Sequence, residues 1–446
     1  MLKTPLIILL GIALLVLVVN LPVHALVKFG LGIAAMFGIS KLLGGQLGIK
    51  DDFGMLMVRS KAGLGAIEAL ARNGEAWKLF ADLGTVVAYG LLAFFILKRE
   101  PRQKFAIMVA GLALLTLISY FVAPAVFPFL LQAIGGAGLG TKAAASAGAS
   151  YAYFATAILY AGGMALTVFA SLMAYTGVIL SALASTLLQG TDQMNKTAPG
   201  ATLILPGVNI PFAEGIIALA LILVVHEASH AVLSRIAKIR ILSSGVVLFG
   251  VLPIGAFVEP DEDQLRKLDA ERQTRVLVAG SAANLFTSLL VFFVFLAFLY
   301  ATVPFKESGL LVIGGNHTGD VLHTINGVDA LTFLQGASNQ TKYNSTLAFG
   351  SDKGAYSGTI TKGTLYDLSS MFFLARYSNP ALQFIYNLLG LVFSLNFVIG
   401  MVNLLPLPLF DGYRVMEINV DKKVVVTAVS LVTALAFVVN FLPWLF

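Results

Sequence analysis

Apolar runs long enough to cross a bilayer alternate along this chain with short polar connectors. A hydrocarbon core of ~30 Å takes ~20 apolar residues per helix, so each run is read as a span. Residues 4–20 are apolar behind a single Lys3 and predict a retained span or signal anchor rather than a removed leader. Residues 25–43 predict a second span. The stretch 44–81 is mixed, and within it residues 60–80 have helical periodicity with one apolar face, the pattern of an interfacial helix. Spans at 83–97 and 105–131 flank the basic connector 98–104. Residues 135–150 are rich in Gly, Ala and Ser and predict a flexible linker. The run 151–189 is too long for one crossing and predicts two helices, with a turn near Gly162 and Gly163 or a little later. Further spans at 211–236, 276–302, 382–409 and 424–446 bring the total to about ten.

Residues 240–258 are apolar in a different way. Gly245, Gly250, Gly255 and Pro253 are poor helix formers, and the β-branched residues between them favour strand. The run starts at a basic end and leaves at an acidic one, so it predicts a re-entrant, hairpin-like segment that returns to the side it came from. Irregular backbone at membrane depth is tolerated only where it lines a protein cavity. The expected fold is an all-α polytopic membrane protein with this re-entrant β-hairpin-like segment and a small extracytoplasmic insert. Four regions follow: N-terminal helices over 1–200, a first core half over 201–302, the polar insert over 303–380, and a second core half over 381–446.

Composition agrees. Hydrophobic residues make up 58% of the 446, charged residues 12%, and mean hydropathy is +0.88. These values exclude an ordinary soluble domain and a disordered chain. Cysteine is absent, which removes disulfides, thiolate metal sites and a cysteine nucleophile. The net charge of +6 reads as cytoplasmic loop charge rather than nucleic-acid binding, because no dense basic run exists. Arg235, Lys238, Arg240, Arg266, Lys267, Arg272 and Arg275, and then Arg414, Lys422 and Lys423, place 235–275 and 412–423 in the cytoplasm. Segments 190–210 and 303–380 then lie outside, where the sequons at Asn195, Asn316, Asn339 and Asn344 also fall. Upstream the same rule contradicts itself, since 44–81 and 98–104 are both basic with one span between them.

The chemistry sits in His226-Glu227-Ala228-Ser229-His230. At helical spacing i and i+4 share a face, so both imidazoles reach one metal ion, and Glu227 is placed to take a proton from a water there. A catalytic zinc wants a third protein ligand and an open position. His24, His317 and His323 are the other histidines. Asp411, in Asn403-Leu-Leu-Pro406-Leu-Pro408-Leu-Phe-Asp411-Gly412, is the better candidate, because it ends a span on the cytoplasmic side, where the His226 helix also ends.

These residues resemble the site-2 proteases, zinc metalloproteases that cut within the membrane. HExxH on a membrane helix is one shared motif. N-x-x-P-x-x-x-x-D-G is the other, matched by Asn403, Pro406, Asp411 and Gly412, and the small-residue run 279–284 ending in Asn284 is a looser third. The resemblance covers about 211–412 and leaves the earlier helices without a role. It implies Zn2+ held by His226, His230 and Asp411, with Glu227 as base, and a β-like loop beside the site, which 240–258 would supply. The stretch 319–328 (GDVLHTINGV) is similar to the PDZ-type insert of that family.

The implied activity is cleavage of transmembrane protein substrates, by a multi-pass protein of the cell membrane whose active site lies toward the cytoplasmic side. A helical substrate has to unwind, and the edge of the 240–258 hairpin, Gly250 included, would pair with it by strand addition. Asn284 and Asn403 are candidate contacts to the substrate backbone. Two alternatives stay open: another class of membrane-embedded zinc peptidase, and a non-catalytic pseudoprotease or binding protein.

Overall fold

The computed structural model describes residues 3–21, 25–49, 51–52, 54–60, 63–126, 149–197, 199–202, 204, 206, 210–305, 307–308, 310–311, 321–330, 333, 346–351, 354–359, 375–377 and 379–445. His24, His317, the sequons at Asn316, Asn339 and Asn344, and nearly all of the linker 135–150 lie outside them. Among the described residues, eight helices are long and apolar enough to cross a membrane. The expected count of about ten differs at two places. The apolar part of the first helix, Lys3–Val18, is shorter than a span, and residues 155–189 form one long helical run. That run is broken at Gly163, whose φ of 62° and ψ of −157° are not helical.

Two compact units make up the chain, Met1–Asp82 with Ala220–Gly280, and Leu83–Leu219 with Ser281–Phe446. The first contains α1 (Lys3–Asn20), α2 (Ala25–Leu47), β1 (Asp51–Asp52), β2 (Met55–Ser60), α3 (Leu64–Ala71) and most of α4 (Gly74–Tyr89). The segment expected as one interfacial helix is thus two helices, and α4 begins nine residues before the expected span at 83. From the later sequence come the second half of α7 (Phe212–Ile236), β3 (Ile241–Phe249), β4 (Leu252–Pro260) and the start of α8 (Ala270–Ala301). Residues 241–260 are an antiparallel pair of strands, and β2 pairs in turn with β3, giving the order β1-β2-β3-β4. Met36, Ile39 and Leu43 of α2 pack on Leu56 of β2 and on Leu248, Phe249 and Leu252 of the hairpin. Ser243 and then Arg59 hydrogen-bond Glu259 and hold its carboxyl below the usual range, tying the ends of β2, β3 and β4 together.

Two helices of this unit are joined by charge. Arg275 of α8 donates Nε to Asp82 Oδ1 at 2.6 Å and Nη2 to Glu271 at 2.7 Å. The Asp82 side chain is 0% exposed and that of Arg275 11%. Such a pair is costly to open, because the partner left behind is a buried charge.

The second unit contains α5 (Pro101–Leu117), α6 (Ala149–Gln189), α9 (Pro380–Val402), α10 (Asp411–Asn419) and α11 (Lys423–Val439). Helices in lipid gain little from the hydrophobic effect and associate through close packing and polar contacts. Accordingly Phe95, Leu188 and Val424 face outward, while Asn440 beyond α11 donates to Thr176 of α6 at 2.8 Å. Phe295 of α8 stacks on Tyr386 and Phe393 of α9. In the insert, β5 (Val321–Ile325), β6 (Thr346–Ser351) and β7 (Gly354–Thr359) pair antiparallel in that order. His323 lies on β5.

Replacing Asp82 by Ala should cost on the order of 3 kcal/mol, the usual loss when one member of a buried pair is removed. Thermal unfolding in detergent measures it; an unchanged midpoint would show that the Arg275 pair contributes no stability.

Candidate metal centre

Helix α7 starts with Glu214 in its first turn and ends with Arg235 in its last, charges that suit the two ends of the helix dipole. Between them the sequence is apolar apart from the turn 226–230 and Ser234. Ser229 satisfies its own hydroxyl by donating to the Val225 carbonyl at 2.8 Å. The helix therefore carries three functional groups, His226, Glu227 and His230, and each meets a different partner within the first unit.

His226 is buried and His230 half-buried, and their Nε2 atoms lie 3.1 Å apart. Two nitrogens bound at ~2.0–2.1 Å to a tetrahedral zinc stand ~3.3 Å apart, so the pair is spaced for one ion. The Nδ1 of His230 lies 2.7 Å from the Val276 carbonyl of α8. A carbonyl only accepts, so Nδ1 carries the proton, and Nε2 keeps its lone pair for a metal. One turn further along α8, a Cβ on Gly280 would stand 2.5 Å from His226 Nε2 and closer still to that of His230. Only glycine leaves that space to the imidazoles.

Glu227 points the other way around the turn. Its Oε2 accepts the backbone N–H of Val258 on β4 at 3.0 Å. The opposite edge of the hairpin, along β3, is covered by β2. Among the described residues no strand pairs with the other edge of β4, and the general-base candidate is attached there.

Gly250 is not on an edge. It forms the turn between β3 and β4 with φ of 63°, and its N–H donates to the buried Ser40 hydroxyl at 2.6 Å. A Cβ there would meet the Met36 backbone at 3.0 Å. Gly250 was expected to contact a substrate strand; in the structure its amide holds the hairpin turn to α2.

Asp411 belongs to the second unit, as the first residue of α10. The preceding turn is fixed by Asn403, which caps α9 and accepts the Gly412 N–H on its carbonyl at 2.8 Å. Asn284 is completely enclosed, with its Cβ beside Gly400 of α9. The contacts that sequence reasoning missed are those made by backbone atoms, at Val276 and Val258, and the pair Asp82–Arg275 next to Val276. Backbone partners leave no mark on composition or spacing.

Three comparisons bear on identity. The model of Peptidase family M50 matches residues 214–442. An uncharacterized protein of Methanocaldococcus jannaschii, MJ0971, is 30% identical over 241 residues, which are 51% of this chain and 62% of that relative. The match thus spans less than two thirds of the relative's length. No solved structure matches. The family match covers half of the chain and contains HExxH on an apolar helix and the Asp-Gly motif at the start of α10. With its several long apolar helices, the chain is a multi-pass membrane protein, and it belongs to peptidase family M50, the site-2 protease family of metallopeptidases.

Proposed function

We propose that this protein is an intramembrane zinc endopeptidase that cleaves the transmembrane segments of other membrane proteins. The observation that carries the reading is the pair of converging imidazoles, with Nε2 atoms 3.1 Å apart, next to a carboxylate in an otherwise apolar helix. Burying Glu and two His among apolar helices is expensive unless they work. His226, His230 and Asp411 are the proposed ligands, one atom from each, a donor set suited to zinc. When bound, zinc polarises the scissile carbonyl and brings the pKa of water toward ~7.

Glu227 is the proposed base. It takes a proton from the attacking water and delivers it to the leaving nitrogen, so one water is consumed for each peptide bond broken. Its link to Val258 N–H puts the carboxylate beside the β4 edge, where we place the unwound substrate as an added strand. Asn403, half-buried, is a proposed contact to the substrate backbone, and Asn284 one turn beyond Gly280 is a second. The hairpin is proposed to re-enter the membrane from the cytoplasm, where the basic residues of 235–275 place its ends. Residues 303–380 are proposed as a PDZ-like extracytoplasmic filter, a reading that the antiparallel strands β5–β7 accommodate.

Glu227→Gln should abolish cleavage of a panel of single-span proteins while zinc stays bound, a loss of ~10²–10⁴ or more. Asp411→Ala should lower zinc content and cleavage together. Near-normal cleavage by the first variant would remove Glu227 as the base, and stoichiometric zinc in the second would remove Asp411 as a ligand. A wild-type protein free of metal would favour a non-catalytic binding role.

Gly280→Ala should reduce zinc affinity about tenfold or more by pushing the imidazoles apart, at the scale seen when the surroundings of a metal ligand change. Gly177, which has open space around its Cβ position, is the control. Equal affinity in both variants would show that the contact at Gly280 does not constrain the ligands.

Helix breakers in the substrate should matter more than side-chain identity at the cut. Each unsatisfied backbone group in lipid costs several kcal/mol, so Gly or Pro near the scissile bond lowers the cost of unwinding. A Leu, Gly and Pro series at matched expression tests this, and equal rates would remove the motive for strand addition.

A further inference from the structure

The helices before residue 214 lie outside the family match and have no role assigned. In the first unit, one of them packs on the stretch of α8 that meets the histidine turn. Trp77 and Ala81 of α4 share an apolar cluster with Leu233 of α7 and with Val276 and Ala279 of α8. Beside that cluster, Asp82 takes the Arg275 guanidinium with both carboxylate oxygens. Nε donates to Oδ1 at 2.6 Å and Nη2 to Oδ2 at 3.3 Å. Nη2 also donates to Glu271, one turn back on α8, at 2.7 Å. Two carboxylates and one guanidinium are thus enclosed together, between α4 and α8.

Stability alone does not account for this pair. Apolar residues of similar volume hold helices together as well as a buried ion pair does, or better. What a forked pair adds is direction, because two parallel bonds fix the angle of approach. The next residue needs direction. Helical geometry has the Val276 carbonyl accept the N–H four residues on, that of Gly280. The bond from His230 Nδ1, at 2.7 Å, uses the second acceptor position of the same oxygen. That position points to one side of α8, so the bond depends on how the helix is rotated. Ala81 and Ala279 let α4 and α8 come close, and the fork beside them sets the angle.

We propose that Asp82 and Arg275 are positioning residues for His230. Their fork holds α8 in the rotation that points the Val276 carbonyl at Nδ1, which leaves the Nε2 lone pair turned toward His226. The proposal rests on the reading of His230 as a metal ligand. The partner on the far nitrogen of a ligating histidine fixes its tautomer and ring orientation, and disturbing that partner weakens the site. Here the partner is a backbone oxygen that no side-chain substitution at 276 removes. The residues that aim the backbone therefore carry the effect, and one of them lies on a helix outside the family match.

The test uses the full chain in detergent, with Co2+ as the probe. The readouts are chelator competition, the visible cobalt spectrum and the shifted proton resonance of the Nδ1–H on a cobalt-bound His230. Asp82→Asn keeps the shape and gives up the charge and one acceptor of the fork. It should lower Co2+ affinity about tenfold, alter the spectrum and speed the exchange of that proton with water. Arg275→Lys keeps the charge and loses the fork; it should do the same, and it stands in if the first variant does not fold. Leu56→Ala, in the core between β2 and α2, is the control. It should lower the thermal midpoint of the metal-free protein comparably and leave all three cobalt readouts at wild-type values. In a His230→Ala background, Asp82→Asn should have no further effect on the residual Co2+ affinity, because the bond to Val276 is already gone. Wild-type readouts in Asp82→Asn and Arg275→Lys, an equal loss in both backgrounds, or the same cobalt changes in Leu56→Ala would overturn the proposal. Cleavage is not among the readouts. A protein that binds cobalt and cuts nothing would end the proteolytic reading while the effect of Asp82 on cobalt still supports the inference. Undiminished cobalt binding in His230→Ala would instead end the ligand reading and the inference with it.

Discussion

The bond between His230 Nδ1 and the Val276 carbonyl decides what the HExxH turn can do. An imidazole has two nitrogens and one proton to place. With the proton spent on Val276, the lone pair is left on Nε2, the atom that faces His226. Because the acceptor is backbone, the bond also fixes how close α8 comes to α7. Val276 and Gly280 are four residues apart and share a face of α8, so the helix that orients His230 also brings Gly280 against both imidazoles. The absence of a side chain at 280 thus follows from the bond at 276. Arg275, next to Val276, is held in turn by Asp82 and Glu271, which resists rotation of that stretch of helix.

Apolar surroundings make these contacts consequential. In lipid there is no water to satisfy a backbone group that loses its partner, so at the membrane depth we propose for the hairpin its strands would need company on their edges. The hairpin gets it on one side from β2, a strand nearly two hundred residues earlier in the chain, and in its turn from the Ser40 hydroxyl. On the other side, β4 gives one N–H to Glu227. The β4 edge, which no described strand pairs with, and the carboxylate are therefore a single feature, and a strand laid along β4 would run beside Glu227, the proposed base.

Local pattern was enough for part of this. HExxH is legible because helical spacing puts its histidines on one face, and the strands of 241–260 because Gly, Pro and β-branched residues are poor helix material. The break in α6 is legible from Gly162 and Gly163, and the Asp-Gly motif from its fixed spacing. What was not legible depends on distant partners. The strand Met55–Ser60 is short and lies in a mixed, charged region, and only its pairing with Val246 and its neighbours makes it a strand. Asp82 and Arg275 are 193 residues apart. The turn at Gly250 was not legible because a glycine between two apolar stretches suits both an open edge and a tight turn, and its positive φ decides for the turn.

Helix α4 shows how a helix outside the family match can bear on the candidate site. Asp82 and Tyr89 are seven residues, two turns, apart and so lie on one face of that helix. The first bonds Arg275 beside the carbonyl that orients His230. The second ends the helix with a hydroxyl that is shut off from solvent. A helix that only added lipid-facing surface would have no use for either group, and burying both among apolar neighbours would be a cost without return. Their placement is accounted for if α4 stiffens the surroundings of the ligands. A helix outside the matched residues can then shape the affinity of the centre without contributing a ligand of its own.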